Sequence, residues 1–298
     1  MKKLPKPLPN SRPEDIFEKC VSGYRDKQKV TALLQCKCMV GCDSELYDRV
    51  VPTRLEEYKQ SSLPTNIDPK MISKVYTEKF AKENSPGRQY YNAIKAQAER
   101  SICPICGIRM VKTLDHYLPK SKFPTLAVTP SNLIPSCRDC NMDKRDDVAY
   151  DSQNTPVHLY FDDVPNEPWL QVTVGDNLEI LYYIACPDTW DVGIRSRVEK
   201  HLDFYDLHEL YSSHANGEVA NSIHMWKKTV IESNPEVLKL ALIDECESSE
   251  LHDMNSWKSA LYRGLVANFG KVKKYIFGLC VTEQVGSIHN CVQKHICD

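Results

Sequence analysis

A mainly helical α+β fold is predicted by three features of this 298-residue sequence. Apolar residues recur at helical spacing on both sides of the chain's middle. A short central stretch breaks that period with alternation, prolines and two CxxC pairs, and a second pair of alternating stretches lies near residues 169–183. Together they predict a small metal-braced core of strand, loop, strand and helix between two helical regions. The expected boundaries are a flexible arm at 1–12, a helical N-terminal region at 13–101, the core at 102–150, and a mostly helical C-terminal region with a short strand pair at 151–298.

In order along the chain, residues 1–12 are rich in proline and lysine and are expected to stay unpacked. Pro13-Glu14-Asp15 places proline and acids in a first helical turn, and Ile16, Cys20 and Tyr24 repeat at helical spacing. Asp68-Pro69 opens another helix with Met71, Val75 and Phe80 on one side, and a helix from Arg88 to about Arg100 delivers the chain to Cys103. Ile108 to Leu114 reads as a strand, Pro119 and Pro124 impose an irregular loop, Leu126–Val128 reads as a second short strand, and a helix opens at Ser136 or Cys137. Trp169–Val174 and Leu178–Tyr183 read as a strand pair, followed by helix from about Gly193 to Gly278.

At 42% hydrophobic and 26% charged residues, the composition is that of a globular chain. No apolar run reaches the length of about eighteen residues that a membrane helix needs. The basic N-terminus lacks the apolar stretch of a secretory signal, so a cytoplasmic protein with no membrane association is expected. Thirteen cysteines without an export signal favour metal binding or burial over disulfides. The net charge of -2 gives no global sign of nucleic-acid affinity, but residues 103–145 hold seven basic side chains against three acidic ones.

Cys103-Pro-Ile-Cys106 and Cys137-Arg-Asp-Cys140 enclose thirty residues. Each CxxC turn presents two thiolates to one ion, and four thiolates close a tetrahedral zinc site with no position for water. The zinc is therefore structural, and chemistry must come from the loop it frames. Hydrolysis of a phosphodiester needs a base for the attacking water and a cation for the charge on the phosphate. His116 is the candidate base, because its ordinary pKa leaves it largely neutral in the cytosol. Asp115 and Asn141 offer the oxygen ligands that Mg2+ prefers, with Mn2+ or Ni2+ as substitutes. Neighbours on a strand face opposite ways, so Asp115 and His116 share one site only where the strand ends or bends.

The segments Leu114-Asp115-His116-Tyr117-Leu118-Pro119, Asn132-Leu133-Ile134-Pro135 and Cys137-Arg-Asp-Cys-Asn-Met-Asp-Lys144 resemble the HNH endonuclease family, whose ββα-metal core is commonly braced by two CxxC knuckles. The resemblance covers roughly Cys103 to Asp147. It implies that His116 is the general base, that Asp115 and Asn141 bind the catalytic metal, and that Asn132 orients the histidine loop. It also implies Lys144 near a phosphate, DNA as the expected substrate, and products with 5′-phosphate and 3′-hydroxyl ends. Asn141 stands where the family often has histidine. Lys120, Lys122 and Arg138 are further candidates for backbone phosphates, with a solvated face as the plain alternative.

The helical flanks and the Asp115–Ser121 segment are similar to HNH proteins encoded with an ATPase in bacterial anti-phage systems of the Septu type, which implies a protein partner of that kind. The competing class is a catalytically inactive zinc-knuckle module that binds nucleic acid or a protein. The enclosed Asp115, His116 and Asn141 discriminate, since binding alone does not require them. Cys36, Cys38 and Cys42 are read as buried or free thiols in a helix, His201 and His208 as packing residues, and His289, Cys291, His295 and Cys297 as a chance cluster in a fraying tail.

Overall fold

The computed structural model describes residues 3–51, 54–143 and 154–279. They divide into two compact units, one comprising the chain up to Val164 with Trp190–Tyr205, the other Pro165–Thr189 with Asp206 onward.

The first unit begins with helix α1 (Pro13–Val21), which has proline at its start and Glu14 and Asp15 in its first turn, where the helix dipole favours acids. Helix α2 (Lys27–Leu34) is capped by Asp26, whose carboxylate accepts from Gln28 N–H and Lys29 N–H at 2.9 and 3.1 Å. Helix α3 (Lys37–Val50) follows. Helix α4 (Pro69–Val75), capped by Asp68, runs into a π turn at Tyr76–Phe80. Helix α5 (Arg88–Lys95) is shorter than the sequence predicts. Arg100 and Ser101 take left-handed backbone angles, so the chain turns away before reaching Cys103.

Strand β1 (Thr113–His116) pairs antiparallel with β2 (Leu133–Ser136), and helix α6 (Arg138–Asp143) completes the small core. Two strand expectations are corrected here. Ile108–Leu114 yields only a bridge between Ile102 and Met110 before β1 begins. Leu126–Val128 is not a strand, because its carbonyls serve other groups: Leu126 O accepts from Thr129 N–H and Asn132 Nδ2, and Ala127 O faces His116 Nε2. All three side chains are buried, without the alternation a half-buried strand would show. The second strand is Leu133–Ser136, which accommodates Pro135 in a two-stranded sheet.

Residues 13–101 and 102–150, read as separate regions from the sequence, share one core. Ile16, Phe17, Val40, Ile72 and Phe80 from the helices pack with Leu114 and Leu133 of the strands. The N-terminal arm is also tied down: Leu4 is 8% exposed and its N–H donates to Leu159 O at 2.8 Å. A buried leucine with a paired backbone anchors a segment that composition alone marks as loose.

Helix α7 (Val192–Phe204) rejoins this unit from beyond residue 164. Its Arg197 forms a buried ion pair with Asp162 at 2.9 Å. The second unit holds strands β3 (Leu170–Val174) and β4 (Ile180–Ile184), paired antiparallel from Leu170 opposite Ile184 to Val174 opposite Ile180. Helices α8 (Leu207–Glu232), α9 (Pro235–His252) and α10 (Trp257–Ala267) follow, and residues 269–279 are helical. At Gly264 a Cβ would overlap the Val172 side chain, so the missing side chain lets α10 lie close against β3. Asn255 fixes the start of β3 by accepting from Trp169 N–H and Leu170 N–H at 3.0 and 3.2 Å. No helix among the described residues is long and apolar enough to cross a membrane.

Candidate active site

The two CxxC turns meet at one point. Gly107 adopts φ of 67°, a left-handed angle that suits glycine, and its N–H donates to Cys103 O at 2.8 Å to close the first knuckle. Cys137 follows β2 and Cys140 lies in α6, with Cys140 N–H aimed at Cys137 Sγ at 3.4 Å. The four Sγ atoms lie within 4.8 Å of one another and all four residues are buried. Bonds of tetrahedral zinc to sulfur imply S···S edges of about 3.8 Å, so the quartet fits such an ion.

Two further bonds brace the knuckles. Arg109 Nε meets Asp139 at 2.9 Å, joining one knuckle to the other. From α7, His201 donates through Nε2 to Ile105 O at 3.1 Å, its ring edge-on to Tyr205. His201 thus serves packing, as expected of it, and His208 approaches Tyr182 O through Nδ1 at 3.1 Å within the second unit.

Beside the thiolate cluster lies a cleft of about 440 Å³ lined by Asp115, His116 and Asn141 together with Pro119, Lys120 and Ser121. β1 ends at His116, which is how consecutive residues come to line one cavity. Asn141 enters from α6, far from β1 in sequence but lining the same cleft.

The imidazole is held on two sides. Its Nε2 lies 2.9 Å from Ala127 O; a carbonyl only accepts, so Nε2 carries the hydrogen, and the tautomer this selects is the one whose lone pair is on Nδ1. The Tyr76 ring stands edge-on to it with centroids 4.4 Å apart, and Tyr76 OH donates to Leu114 O at 3.1 Å. Asn132 is fully buried and acts one step further out. Its Oδ1 accepts from Leu118 N–H at 2.7 Å, while Nδ2 donates to Leu118 O at 3.0 Å and Leu126 O at 3.3 Å. The carboxamide therefore staples the two ends of the 118–126 loop and leaves the imidazole to Ala127.

Lys122 and Arg138 are exposed and stand outside the residues lining the cleft. Lys144 lies outside the described residues, as do His289, Cys291, His295 and Cys297. Cys36 is buried, whereas Cys38 and Cys42 are exposed thiols. The sequence reading missed the far wall of the cleft, formed by Lys70, Ser73, Lys74 and Thr77. The signal was present: these positions fall on one helical face, opposite the buried Ile72 and Val75.

Residues 103–147 match the family model for HNH endonuclease. The chain carries an HNH endonuclease domain. Protein ea31 of Escherichia phage lambda is 28% identical over 217 residues, which covers 67% of this chain and 73% of the phage protein. Septu protein PtuB of Bacillus thuringiensis is 30% identical over 76 residues, covering 24% of this chain and only 28% of PtuB. No solved structure matches the chain significantly. The thiolate cluster and the cleft both fall within the span of the HNH domain, with α4 supplied from outside it.

Proposed function

We propose that this chain is a cytoplasmic, metal-dependent endonuclease that hydrolyses phosphodiester bonds in DNA. The observation that carries the reading is the state of His116: with Nε2–H engaged by Ala127 O, Nδ1 is the basic nitrogen of a ring that lines the same cleft as Asp115 and Asn141. In this reading Nδ1 takes a proton from the attacking water. The Asp115 carboxylate and the Asn141 amide oxygen would hold the catalytic cation, a donor set that suits Mg2+, which binds through few protein oxygens and keeps several waters. When bound, that cation offsets the charge on the phosphate and the departing oxygen. Tyr76 and the loop stapled by Asn132 keep the ring from turning, and the thiolate quartet with its structural zinc fixes β2 and α6. The family resemblance supports products with 5′-phosphate and 3′-hydroxyl ends.

A role in an anti-phage complex, with a partner that could be an ATPase, is supported by the 76-residue likeness to Septu protein PtuB. The test of the chemistry is nicking of supercoiled plasmid by the full chain with Mg2+, Mn2+ or Ni2+. Wild type should nick, and His116→Ala should not while retaining its fold and zinc. Equal cutting by both would reject the base, and no cutting by wild type with any of the three ions would reject the enzyme.

A further inference from the structure

The cleft has a wall that the nuclease reading does not use. Helix α4 and the turn after it bring Lys70, Ser73, Lys74 and Thr77 to the same cavity as Asp115, His116 and Asn141, and Lys120 enters from the loop. Three lysines and one carboxylate thus line the same cleft.

The wall is built and its cations are available. Ile72 and Val75 are buried on the inner face of α4, so the helix presents its polar side outward. Ser73 Oγ lies 2.9 Å from Pro69 O of its own helix and 3.1 Å from Lys120 O of the facing loop, and its single hydrogen serves one or the other. Lys120 Nζ sits 5.5 Å above the Tyr76 ring, the ring that holds His116. Of the acids flanking α4, Asp68 caps the helix through Lys70 N–H at 2.9 Å, and Glu78 pairs with Lys29 at 3.1 Å while also feeling the charge of Lys74. Neither Lys70 nor Lys74 has an ion-pair partner among the described residues, and both are exposed. Clustered unpaired cations repel one another and favour an anion between them.

The lining offers ammonium and hydroxyl groups together with Pro119, and its one aromatic side chain is the His116 imidazole, which the nuclease reading already occupies as the base. Such a surface takes phosphate and sugar, and phosphate contacts fix register without reading sequence. We infer that Lys70 and Lys74 of α4 grip backbone phosphates next to the scissile one, so that the cleft holds its nucleic acid by the backbone and without base readout. The inference rests on the proposed nuclease reading and adds to it the binding residues and the mode of recognition.

The test is binding in metal-free buffer, where no cutting occurs. The full chain is titrated against two fluorescein-labelled DNA duplexes of equal length and different sequence, at several salt concentrations. Each phosphate contact adds about 0.9 to the slope of log affinity against log salt. Lys70→Ala with Lys74→Ala should therefore lower the slope by about 1.8 and weaken binding on the order of 60-fold at about 0.1 M salt. The loss should be equal for both duplexes, and Lys70→Arg with Lys74→Arg should restore the slope. Lys70→Gln with Lys74→Gln, which removes the charge but keeps an unbranched polar side chain of similar helix propensity to lysine, should behave as the alanine pair and guards against an effect of truncation alone.

Unchanged affinity and slope in the alanine and glutamine pairs, with a wild type that nicks plasmid, would overturn this inference alone. A loss confined to one duplex would overturn backbone-only recognition. Wild type that binds through these lysines but cuts nothing would remove the nuclease reading and leave only backbone binding by the two lysines, while wild type that neither binds nor cuts would remove both.

Discussion

Tyr76 and His116 meet edge to face, with ring centroids 4.4 Å apart and planes at 69°. The pairing links the π turn after α4 to the last residue of β1, because the same tyrosine donates its hydroxyl to Leu114 O. π turns interrupt helices at functional positions often enough to be informative, and this one points a ring at the candidate base. Tyr76→Phe retains the ring and removes one buried hydrogen bond, so stability should fall by about 1 kcal/mol with nicking changed only a few-fold. Tyr76→Ala removes the wall itself, with an expected cost of about 3–5 kcal/mol in chemical denaturation and a larger loss of nicking. Equal activity in both variants would show that the ring does not position His116.

Asn132 makes three hydrogen bonds from a fully buried position. Asn132→Ala leaves Leu118 N–H and two carbonyls without those partners, at an expected cost of about 3 kcal/mol in urea unfolding. A loop that shifts by an ångström also moves Ala127 O, and misplacement on that scale costs roughly a hundredfold in rate. Asn132→Asp keeps the acceptor but cannot donate to Leu118 O and Leu126 O. It should fall between wild type and alanine in loop order, read by the ring-nitrogen NMR signals of His116.

The thiolate quartet is expected to hold a single structural zinc. Cys137→Ala or Cys140→Ala should abolish zinc in the purified protein and lower Tm steeply, because ligand binding to such a site is itself folding free energy. A strong chelator should unfold the hairpin and α6, and added Mg2+ should not restore them. A soluble, zinc-free variant with wild-type nicking would reject the structural role.

His201 gives stability a pH dependence. Burial pulls its pKa down from 6.5 to about 4. An unfolded imidazole binds a proton below about 6.5, whereas the folded one resists until about 4, so protons favour the unfolded chain across that window. The contribution is complete above the upper value and is lost as pH falls, by about 3 kcal/mol at the lower one. His201→Gln, which titrates in neither state, should flatten the urea-midpoint profile between those values. An unchanged profile would place the sensitivity elsewhere.

The parts of the fold legible in the sequence are those fixed by local chemistry. Asp68-Pro69 and Pro13-Glu14-Asp15 announce helix starts because caps and dipole act within one turn. The CxxC spacing announces the thiolate cluster because one ion dictates it. Leu126–Val128 misleads because its carbonyls are taken by Asn132 and His116, partners that no neighbouring residue reveals. Lys70 and Lys74 were readable as one helix face but not as part of the cleft, since only tertiary packing of Ile72 and Val75 carries α4 to the end of β1. The family resemblance implies a loop-orienting Asn132, but no local signal in the sequence shows that its hydrogen bonds run to Leu118 and Leu126 rather than to the imidazole.

The return of residues 190–205 to the first unit has a practical consequence for anyone dissecting this gene. A fragment cut after the family-matched segment discards Arg197, the counter-ion of buried Asp162, and His201, the donor to Ile105 O. The unit that holds the candidate site is therefore not a contiguous piece of sequence, and an expression boundary drawn through the 165–189 hairpin would sever it from its own last helix.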